Sequence, residues 1–256
     1  MTLGSAAITL LRVKAFGALR GLVPAVLLVL AGCSSQPLDP SQGSPNGETP
    51  GPEVPDPETP EVEGDFRSVS YPAGPYGTEV GSVIANLSFL GWRDPVVAGY
   101  DASVLERVSF SDFYDPEGER GLEVIVVNAS AVWCTVCQTE FADMKNAAVY
   151  SRFKQVGVEI IGTLFEDAVG DPATPSDLSL WGSSARRAIE FPLVLDPGLK
   201  MGAYFTSDAT PLNLVIDART MRILHSFMGY DRSPQTGLFG VVEAELASRG
   251  LVVPAQ

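Results

Sequence analysis

Apolar runs alternate with amphipathic stretches along the second half of the chain. Apart from Glu123 and Asn128, positions 122–128 form an apolar and β-branched run, typical of a strand that is covered on both faces. Residues 138–153 follow with apolar side chains at helical spacing, and residues 156–165 form a second apolar run. This succession predicts a strand, a helix and a second strand, which together make the repeating unit of α/β sheets.

The predicted elements continue to the C-terminus. Residues 171–176 interrupt the pattern, and Ser176 is the expected N-cap of a helix over 176–189. The further predicted elements are a strand over 191–195, a helix near 199–204, strands over 212–217 and 222–227, and a helix over 238–248. Because the alternation ends in an antiparallel pair of strands, we predict an α/β fold with a central mixed β-sheet flanked by helices.

The folded part of the chain is expected to begin after a polar entry segment. We assign residues 104–256 to the main domain and residues 66–103 to an N-terminal extension. A mixture of apolar and small residues predicts a short hairpin over 82–92 within that extension.

The N-terminus has the layout of an export signal. Arg12, Lys14 and Arg20 are followed by an uncharged apolar run over 22–31. This run is shorter than the roughly 20 residues that a membrane-spanning helix needs. We therefore predict that residues 1–32 are a secretory signal peptide.

The end of this signal resembles the lipobox of bacterial lipoproteins. The apolar run ends in Leu30, Ala31, Gly32 and Cys33, and a polar Ser34 follows. The resemblance implies that the thiol of Cys33 is alkylated with diacylglycerol and that the preceding peptide is removed. A serine after the cysteine resembles the pattern that sends lipoproteins to the outer membrane, facing the periplasm, in a Gram-negative cell. The alternative is an ordinary cleaved signal with an incidental cysteine.

A tether follows the predicted lipid anchor. Residues 34–65 contain eight Pro, four Gly and eight acidic residues but no Lys or Arg, a composition that does not form a packed core. We interpret 33–65 as the lipidated cysteine and a disordered segment that holds the domain away from the membrane.

The composition excludes several classes of function. The chain of 256 residues carries 31 acidic and 17 basic residues, a formal net charge of −14, without a basic cluster, which argues against nucleic-acid binding. His225 is the only histidine, so a zinc site with two or three imidazoles is excluded and a Ser-His-Asp or Cys-His hydrolase is disfavoured. The remaining chemistry must use cysteine or carboxylate side chains.

Two cysteines stand where a predicted strand gives way to a predicted helix. Cys134 and Cys137 form a CxxC motif just ahead of the helix over 138–153. Free backbone N–H groups and the positive end of the helix dipole stabilise a thiolate at such a position. Cys134 is the expected attacking thiol, and Cys137, one turn on, is the expected resolving thiol. A structural or zinc-binding pair is the alternative, but zinc would need two further ligands.

The motif and its neighbours resemble thioredoxin-like proteins, in particular TlpA/ResA-type thiol-disulfide oxidoreductases of the redoxin/AhpC-TSA superfamily. The resemblance rests on Trp133 through Cys137, on Glu140, and on Thr210-Pro211, which matches the cis-proline of that family. Asn128 stands where thioredoxin has a buried Asp. The resemblance implies a thioredoxin-like fold and a redox-active cysteine pair without a cofactor or a metal.

The resemblance also implies roles for single residues. Trp133 would border the surface that binds a partner, and Thr210 with Pro211 would pair with the partner backbone. Glu140 would tune the cysteines or transfer a proton, although an acidic residue there is also favoured by the helix dipole alone. Pro211 could also be an ordinary trans proline at the start of a strand. His225 alternates with apolar residues, so we interpret it as a structural histidine.

Three other functions compete with this one. A peroxiredoxin-like thiol peroxidase or antioxidant would share the fold, but Val127 and Ala131 occupy the places of its signature Pro and Thr/Ser. A Sco-like copper(I) carrier uses CxxxC and a histidine ahead of the strand, whereas His225 follows Pro211. A non-catalytic thioredoxin-fold module stays open, although two retained cysteines disfavour it.

The sequence predicts a reducing exchanger. Thr135 and Val136 bring no charge between the cysteines, and Lys145 is two turns away, so local sequence stabilises a thiolate weakly. We expect a monomer that reduces or exchanges disulfides of cell-envelope proteins and receives electrons from an upstream thiol donor. In related proteins the partner can be apocytochrome c.

Overall fold

The computed structural model describes residues 70–255. The predicted signal peptide (1–32), the lipidation site Cys33, the tether (33–65) and the first residues of the extension therefore lie outside the described residues. No helix within 70–255 has both the length and the apolar character that a membrane crossing requires.

Seven strands of the described residues form one mixed sheet, which confirms the predicted fold class. The strands are β1 (Ser88–Trp92), β2 (Glu106–Ser109), β3 (Val124–Ser130), β4 (Val158–Leu164), β5 (Leu193–Leu195), β6 (Leu212–Asp217) and β7 (Ile223–Met228). Their order across the sheet is β2-β1-β5-β4-β3-β6-β7. The β5-β4 and β4-β3 pairs are parallel, and the other neighbours are antiparallel.

The central position of β3 explains its composition. All seven residues of β3 are buried, because β4 and β6 pair with its two edges and other elements cover its faces. The strand lies two residues further on than the predicted 122–128. The chain leaves the carboxyl end of this strand and turns directly into the first helix. The CxxC therefore lies at the carboxyl end of a central strand.

Within residues 70–255, four α-helices accompany the sheet: α1 (Thr135–Asn146), α2 (Val149–Lys154), α3 (Pro175–Ser183) and α4 (Leu238–Ser248). Short 3-10 turns occupy Phe110–Phe113 and Lys200–Tyr204. The prediction of α4 is correct at both ends, and the predicted 212–217 coincides with β6. The strand predicted over 222–227 lies one residue before β7 at both ends.

The single helix predicted over 138–153 is wrong. The helix begins three residues earlier, because the Cys134 sulfur caps it by accepting the Cys137 N–H. It is then interrupted at Ala148, whose φ of 49° is left-handed, and α2 continues in a new direction. No glycine or proline marks this break.

The helix predicted over 176–189 is also corrected. Thr174, not Ser176, is the N-cap: its hydroxyl accepts the Asp177 N–H, the Asp177 carboxylate accepts the Thr174 N–H, and Pro175 takes the first helical position. The helix ends at Ser183, where the chain turns.

The predicted hairpin over 82–92 is wrong as well. The strand β1 pairs with β2 and, on its other edge, with β5. A Cβ on Gly91 would lie 2.3 Å from the Leu193 carbonyl oxygen, so only glycine permits this close strand approach. Part of the predicted 66–103 extension therefore belongs to the main sheet.

Candidate active site

The CxxC motif begins helix α1. Cys134 is the N-cap residue, and its Sγ accepts the Cys137 N–H at 3.0 Å. Gln138 fixes the turn before the helix, because its side-chain amide donates to the Val132 carbonyl at 2.8 Å. The motif thus places Cys134 Sγ against the positive end of α1, where a thiolate is favoured.

Cys134 and Cys137 are joined in a disulfide with a Cα–Cα distance of 5.3 Å. Cys137 is fully buried, whereas Cys134 keeps 4% of its surface exposed. Beside it, Trp133 and Val136 are 44% and 45% exposed. Cys134 is therefore the more accessible of the two sulfurs, and its role as the attacking thiol stays a prediction.

The Thr210-Pro211 peptide bond is cis, as the resemblance predicted. It leads directly into β6, beside β3 in the sheet. The Thr210 hydroxyl donates to Cys134 Sγ at 3.3 Å. Among the described residues, the backbone amide and carbonyl of Thr210 have no hydrogen-bond partner. The structure thus brings together the two predicted motifs, which are 76 positions apart.

A buried polar network lies behind the cysteines. Glu140 is one helical turn after Cys137 on α1 and is 1% exposed. Its two carboxylate oxygens accept hydrogen bonds from Asn128 Nδ2 at 2.8 Å and from Asn213 Nδ2 at 2.9 Å. Asn128 Nδ2 also donates to Asn213 Oδ1 at 2.9 Å, which closes a triangle of three side chains. The side-chain oxygen of Asn128, Oδ1, accepts a hydrogen bond from the Ser130 hydroxyl at 2.5 Å.

Burial controls the charge of Glu140. Desolvation raises the pKa of its carboxyl to about 8, and the hydrogen bonds from Asn213 and Asn128 oppose this rise. Glu140 therefore holds its proton through most of the neutral range. It also lines a cavity of about 310 Å³ formed with Asn213 and residues 226–231, which is large enough for several waters.

A residue outside the CxxC loop, Glu166, holds the Trp133 side chain in place. Its indole N–H donates to the Glu166 carboxylate at 2.7 Å, and the Glu166 carbonyl accepts the Val132 N–H at 2.9 Å. Glu166 follows β4, the parallel neighbour of β3, so both strands deliver a residue to the same edge of the sheet. The exposed indole consequently has a defined orientation beside Cys134.

An arginine from a distant part of the chain contacts α1. Arg232 Nε and the Tyr230 hydroxyl both donate to the Asp143 carboxylate, at 2.8 and 2.9 Å. Burial and Asp143 raise the pKa of Tyr230 to about 12, so this phenol stays neutral. Because Arg232 is paired with Asp143, its charge is largely compensated and adds little to thiolate stabilisation.

Solved structures of similar shape are bacterial proteins at low identity. A protein from Geobacillus kaustophilus, described as an uncharacterized conserved protein, aligns at 14% identity and a TM-score of 0.50 over 70% of this chain and 87% of its own. Two Chlorobium tepidum proteins each align over 66% of this chain and 99% of their own length. One, provisionally named thiol:disulfide interchange protein DsbE, has 18% sequence identity and a TM-score of 0.49. The other, named thiol:disulfide interchange protein of the thioredoxin family, has 16% identity and a TM-score of 0.46. No family profile and no curated protein sequence matches the chain.

The architecture and the placement of the two motifs decide the fold. A mixed sheet carries the CxxC between β3 and α1 and a cis-proline at the start of β6. The chain has a thioredoxin-like fold. The strands β1 and β2 extend the sheet of this thioredoxin-like domain beyond β5, with β2 at the edge.

The structure also places the residues on which the alternative functions depend. Val127 and Ala131 are fully buried and apolar, so neither position offers the hydroxyl of the peroxidase signature. His225 lies in β7, pairs with Val215 across the sheet and stacks near Phe227. Within residues 70–255, no group of three or more His, Cys, Asp or Glu side chains could hold a metal ion.

The sequence analysis missed two residues of this site and left a third without a role. Asn213 and Glu166 were not predicted, and Asn128 was noted without a function. An asparagine inside the otherwise apolar β6 is a signal that could have found Asn213, because buried polar side chains require partners. Glu166 gave no such signal, since an acidic residue after a strand is ordinary in a loop.

Proposed function

We propose that this protein is a thiol-disulfide oxidoreductase that reduces or exchanges disulfides in other exported proteins. The observation that carries the proposal is the Cys134-Cys137 disulfide at the start of α1, with the cis Thr210-Pro211 bond against Cys134. The names of the two Chlorobium proteins describe the same activity, but the proposal depends on the site geometry.

The reaction consists of two thiol-disulfide exchanges. In the reduced protein, the Cys134 thiolate attacks one sulfur of a partner disulfide, and the other partner sulfur leaves as a thiolate that takes a proton. Cys137, as a thiolate, then attacks Cys134 Sγ and releases the second partner sulfur as a thiolate, which takes a proton from water. The partner gains two electrons, and the protein ends in the disulfide form. A thiol donor must return the two electrons before another cycle.

The ionised form of Glu140, which is the minority below pH 8, accepts the proton that Cys137 gives up and so becomes neutral. The two side chains are three residues apart on α1, so they lie on the same face of the helix. A carboxyl with a pKa of about 8 can exchange a proton with a thiol near neutral pH. The adjoining cavity gives this proton a path to water. In the reverse reaction, neutral Glu140 returns the proton to the Cys137 sulfur.

The surface around Cys134 suits an extended peptide. The unpaired backbone amide and carbonyl of Thr210 can pair with a partner strand, as at any exposed strand edge. Trp133 and Val136 offer exposed apolar area on either side of the sulfur. These features support the roles that the sequence resemblance implies for Trp133, Thr210 and Pro211.

The cellular setting of the proposal comes from the sequence. Lipidation at Cys33 and the acidic tether would hold the domain at a membrane of the cell envelope, at the outer membrane facing the periplasm in a Gram-negative cell. Partners would be disulfide-bearing envelope proteins, with apocytochrome c as one candidate, and an upstream thiol donor. We propose that the protein acts as a monomer and a reductant.

Replacing Cys137 by Ser tests the two-cysteine reaction. This variant can attack a partner disulfide but cannot resolve it, so it should accumulate a mixed disulfide visible on non-reducing gels. The matched control is Cys134→Ser, which lacks the attacking sulfur and should form no such adduct. The proposal fails if Cys137→Ser forms no adduct while its Cys134 thiol still reacts with an alkylating agent.

A further inference from the structure

A second cavity lies on the side of α1 where the helix breaks. Its volume is about 250 Å³. The apolar part of its lining includes Phe141, Phe191 and Ile189, all of them buried. Phe191 packs against Phe141 with ring centroids 5.7 Å apart and against Tyr150 at 5.5 Å. The cavity thus has a rigid aromatic wall, as binding sites for small molecules commonly do.

Two cations line the same cavity. Lys145 donates to the Ala185 carbonyl, and Arg187 Nε donates to the Trp181 carbonyl at 3.0 Å. Among residues 70–255, neither side chain forms a salt bridge, and the terminal nitrogens of Arg187 have no hydrogen-bond acceptor. The Arg187 guanidinium stacks on the Trp181 ring, with its central carbon 4.1 Å from the ring centroid, so this half-buried charge has a cation–π contact but no carboxylate partner.

Backbone strain is concentrated at the same place. Ala148 and Ala188, which both line the cavity, have φ values of 49° and 41°. Alanine rarely adopts the left-handed conformation because its Cβ crowds the backbone, and such strain tends to persist at binding sites. The two alanines belong to the helix break and to the turn after α3.

We propose that this cavity binds a small amphipathic carboxylate. The apolar part of the ligand would lie against Phe141 and Phe191, and its carboxylate would pair with Arg187 and Lys145. The cavity volume suits one ring with a carboxylate, since a dry cavity of about 150 Å³ holds benzene. Exposed Glu190 also lines the cavity, so the balance of the three charges favours a monoanion over a polyanion.

This proposal goes beyond the disulfide chemistry and does not require it. None of the cavity-lining residues is a cysteine or a member of the Glu140 network. The double variant Cys134→Ser/Cys137→Ser should therefore bind the ligand as the native chain does, which separates failure of this proposal from failure of the proposed function.

Calorimetric titration of the full chain with benzoate, benzamide and inorganic phosphate tests the site. Benzoate should bind with one-to-one stoichiometry, and neutral benzamide should bind at least tenfold more weakly because it lacks the charge. Phosphate should also bind at least tenfold more weakly, since it lacks the apolar part. Arg187→Gln should weaken benzoate binding about tenfold, the expected effect of losing about 1.4 kcal/mol from one charge-assisted pair.

The matched control is Arg186→Gln, which removes the same charge from the adjacent, exposed residue outside the cavity lining. It should change benzoate affinity less than twofold. If Arg187→Gln does not fold, as judged by circular dichroism, Lys145→Gln takes its place with the same expected direction. The proposal is overturned if benzoate does not bind at millimolar concentration, if benzamide or phosphate binds equally well, or if the two arginine variants have equal effects.

Discussion

Replacing Glu140 by Gln changes how the stability of the protein depends on pH. Burial raises the Glu140 pKa from its ordinary value of 4.5 to about 8 in the folded protein. Between these pH values the folded state binds more protons than the unfolded state, so the free energy of unfolding must fall as pH rises. The contribution of Glu140 is fully present below pH 4.5 and is lost as pH approaches 8.

The expected magnitude follows from the size of this rise. Each pH unit between the two values costs about 1.4 kcal/mol, so the loss between pH 5 and pH 8 is roughly 4 kcal/mol. Glutamine has the same shape and no charge, so Glu140→Gln removes this slope. The variant itself places an amide N–H₂ against the amide donors of Asn128 and Asn213, which lowers its stability by about 1–3 kcal/mol at every pH.

The difference in slope separates these two effects. Urea unfolding of the disulfide form at pH 5, 6, 7 and 8, followed by tryptophan fluorescence, gives the free energy of unfolding for each protein. The native protein should lose stability relative to Glu140→Gln by about 1.4 kcal/mol per pH unit. Exposed Glu117→Gln is the control and should leave the native slope unchanged. Equal slopes for the native protein and Glu140→Gln would refute the account of a neutral, buried Glu140.

Two further variants test the surroundings of the sulfurs. Thr210→Val removes the hydroxyl that lies 3.3 Å from Cys134 Sγ, and with it a hydrogen bond of about 1 kcal/mol. The pKa of the Cys134 thiol in the reduced protein should therefore rise by about 0.5–1. The pH dependence of alkylation measures this pKa. Thr135→Val, on an exposed residue, should leave this pKa unchanged, and an equal effect of both variants would contradict the assignment. Glu166→Ala frees the Trp133 indole and should slow formation of the mixed disulfide while costing about 1 kcal/mol of stability or less. Glu166→Gln keeps an acceptor for the indole and should restore the rate; failure to do so would mean that the indole orientation is not what matters.

Local signals explain what the sequence predicts well. The strand β6 begins directly after Pro211 and ends at Asp217, and its residues are apolar except for Asn213, so both of its boundaries are visible in the chain. The CxxC is also recognisable because it stands between a buried run and a helical pattern. The resemblance to thioredoxin-like proteins added the cis geometry of Pro211, which spacing alone does not predict.

The missed features depend on contacts between distant positions. Asn128 and Asn213 face one another only because β3 and β6 pair in that register, 85 positions apart along the chain. The same holds for the hydrogen bond from Trp133 to Glu166, 33 positions apart. The break at Ala148 has no glycine or proline, so helix propensity predicts one continuous helix. In the folded protein, tertiary packing ends the helix at this point.

The reduction potential of the Cys134-Cys137 pair tests the central claim most directly. The protein is equilibrated in glutathione or dithiothreitol buffers of defined ratio, and free thiols are counted after alkylation. A redox-active pair will titrate as one reversible two-electron couple, and the uncharged CxxC loop predicts a potential nearer to about −270 mV, as in thioredoxin, than to about −120 mV, as in DsbA. A value near −120 mV would contradict the reducing role. Failure to form the disulfide reversibly under any ratio would contradict thiol-disulfide exchange altogether.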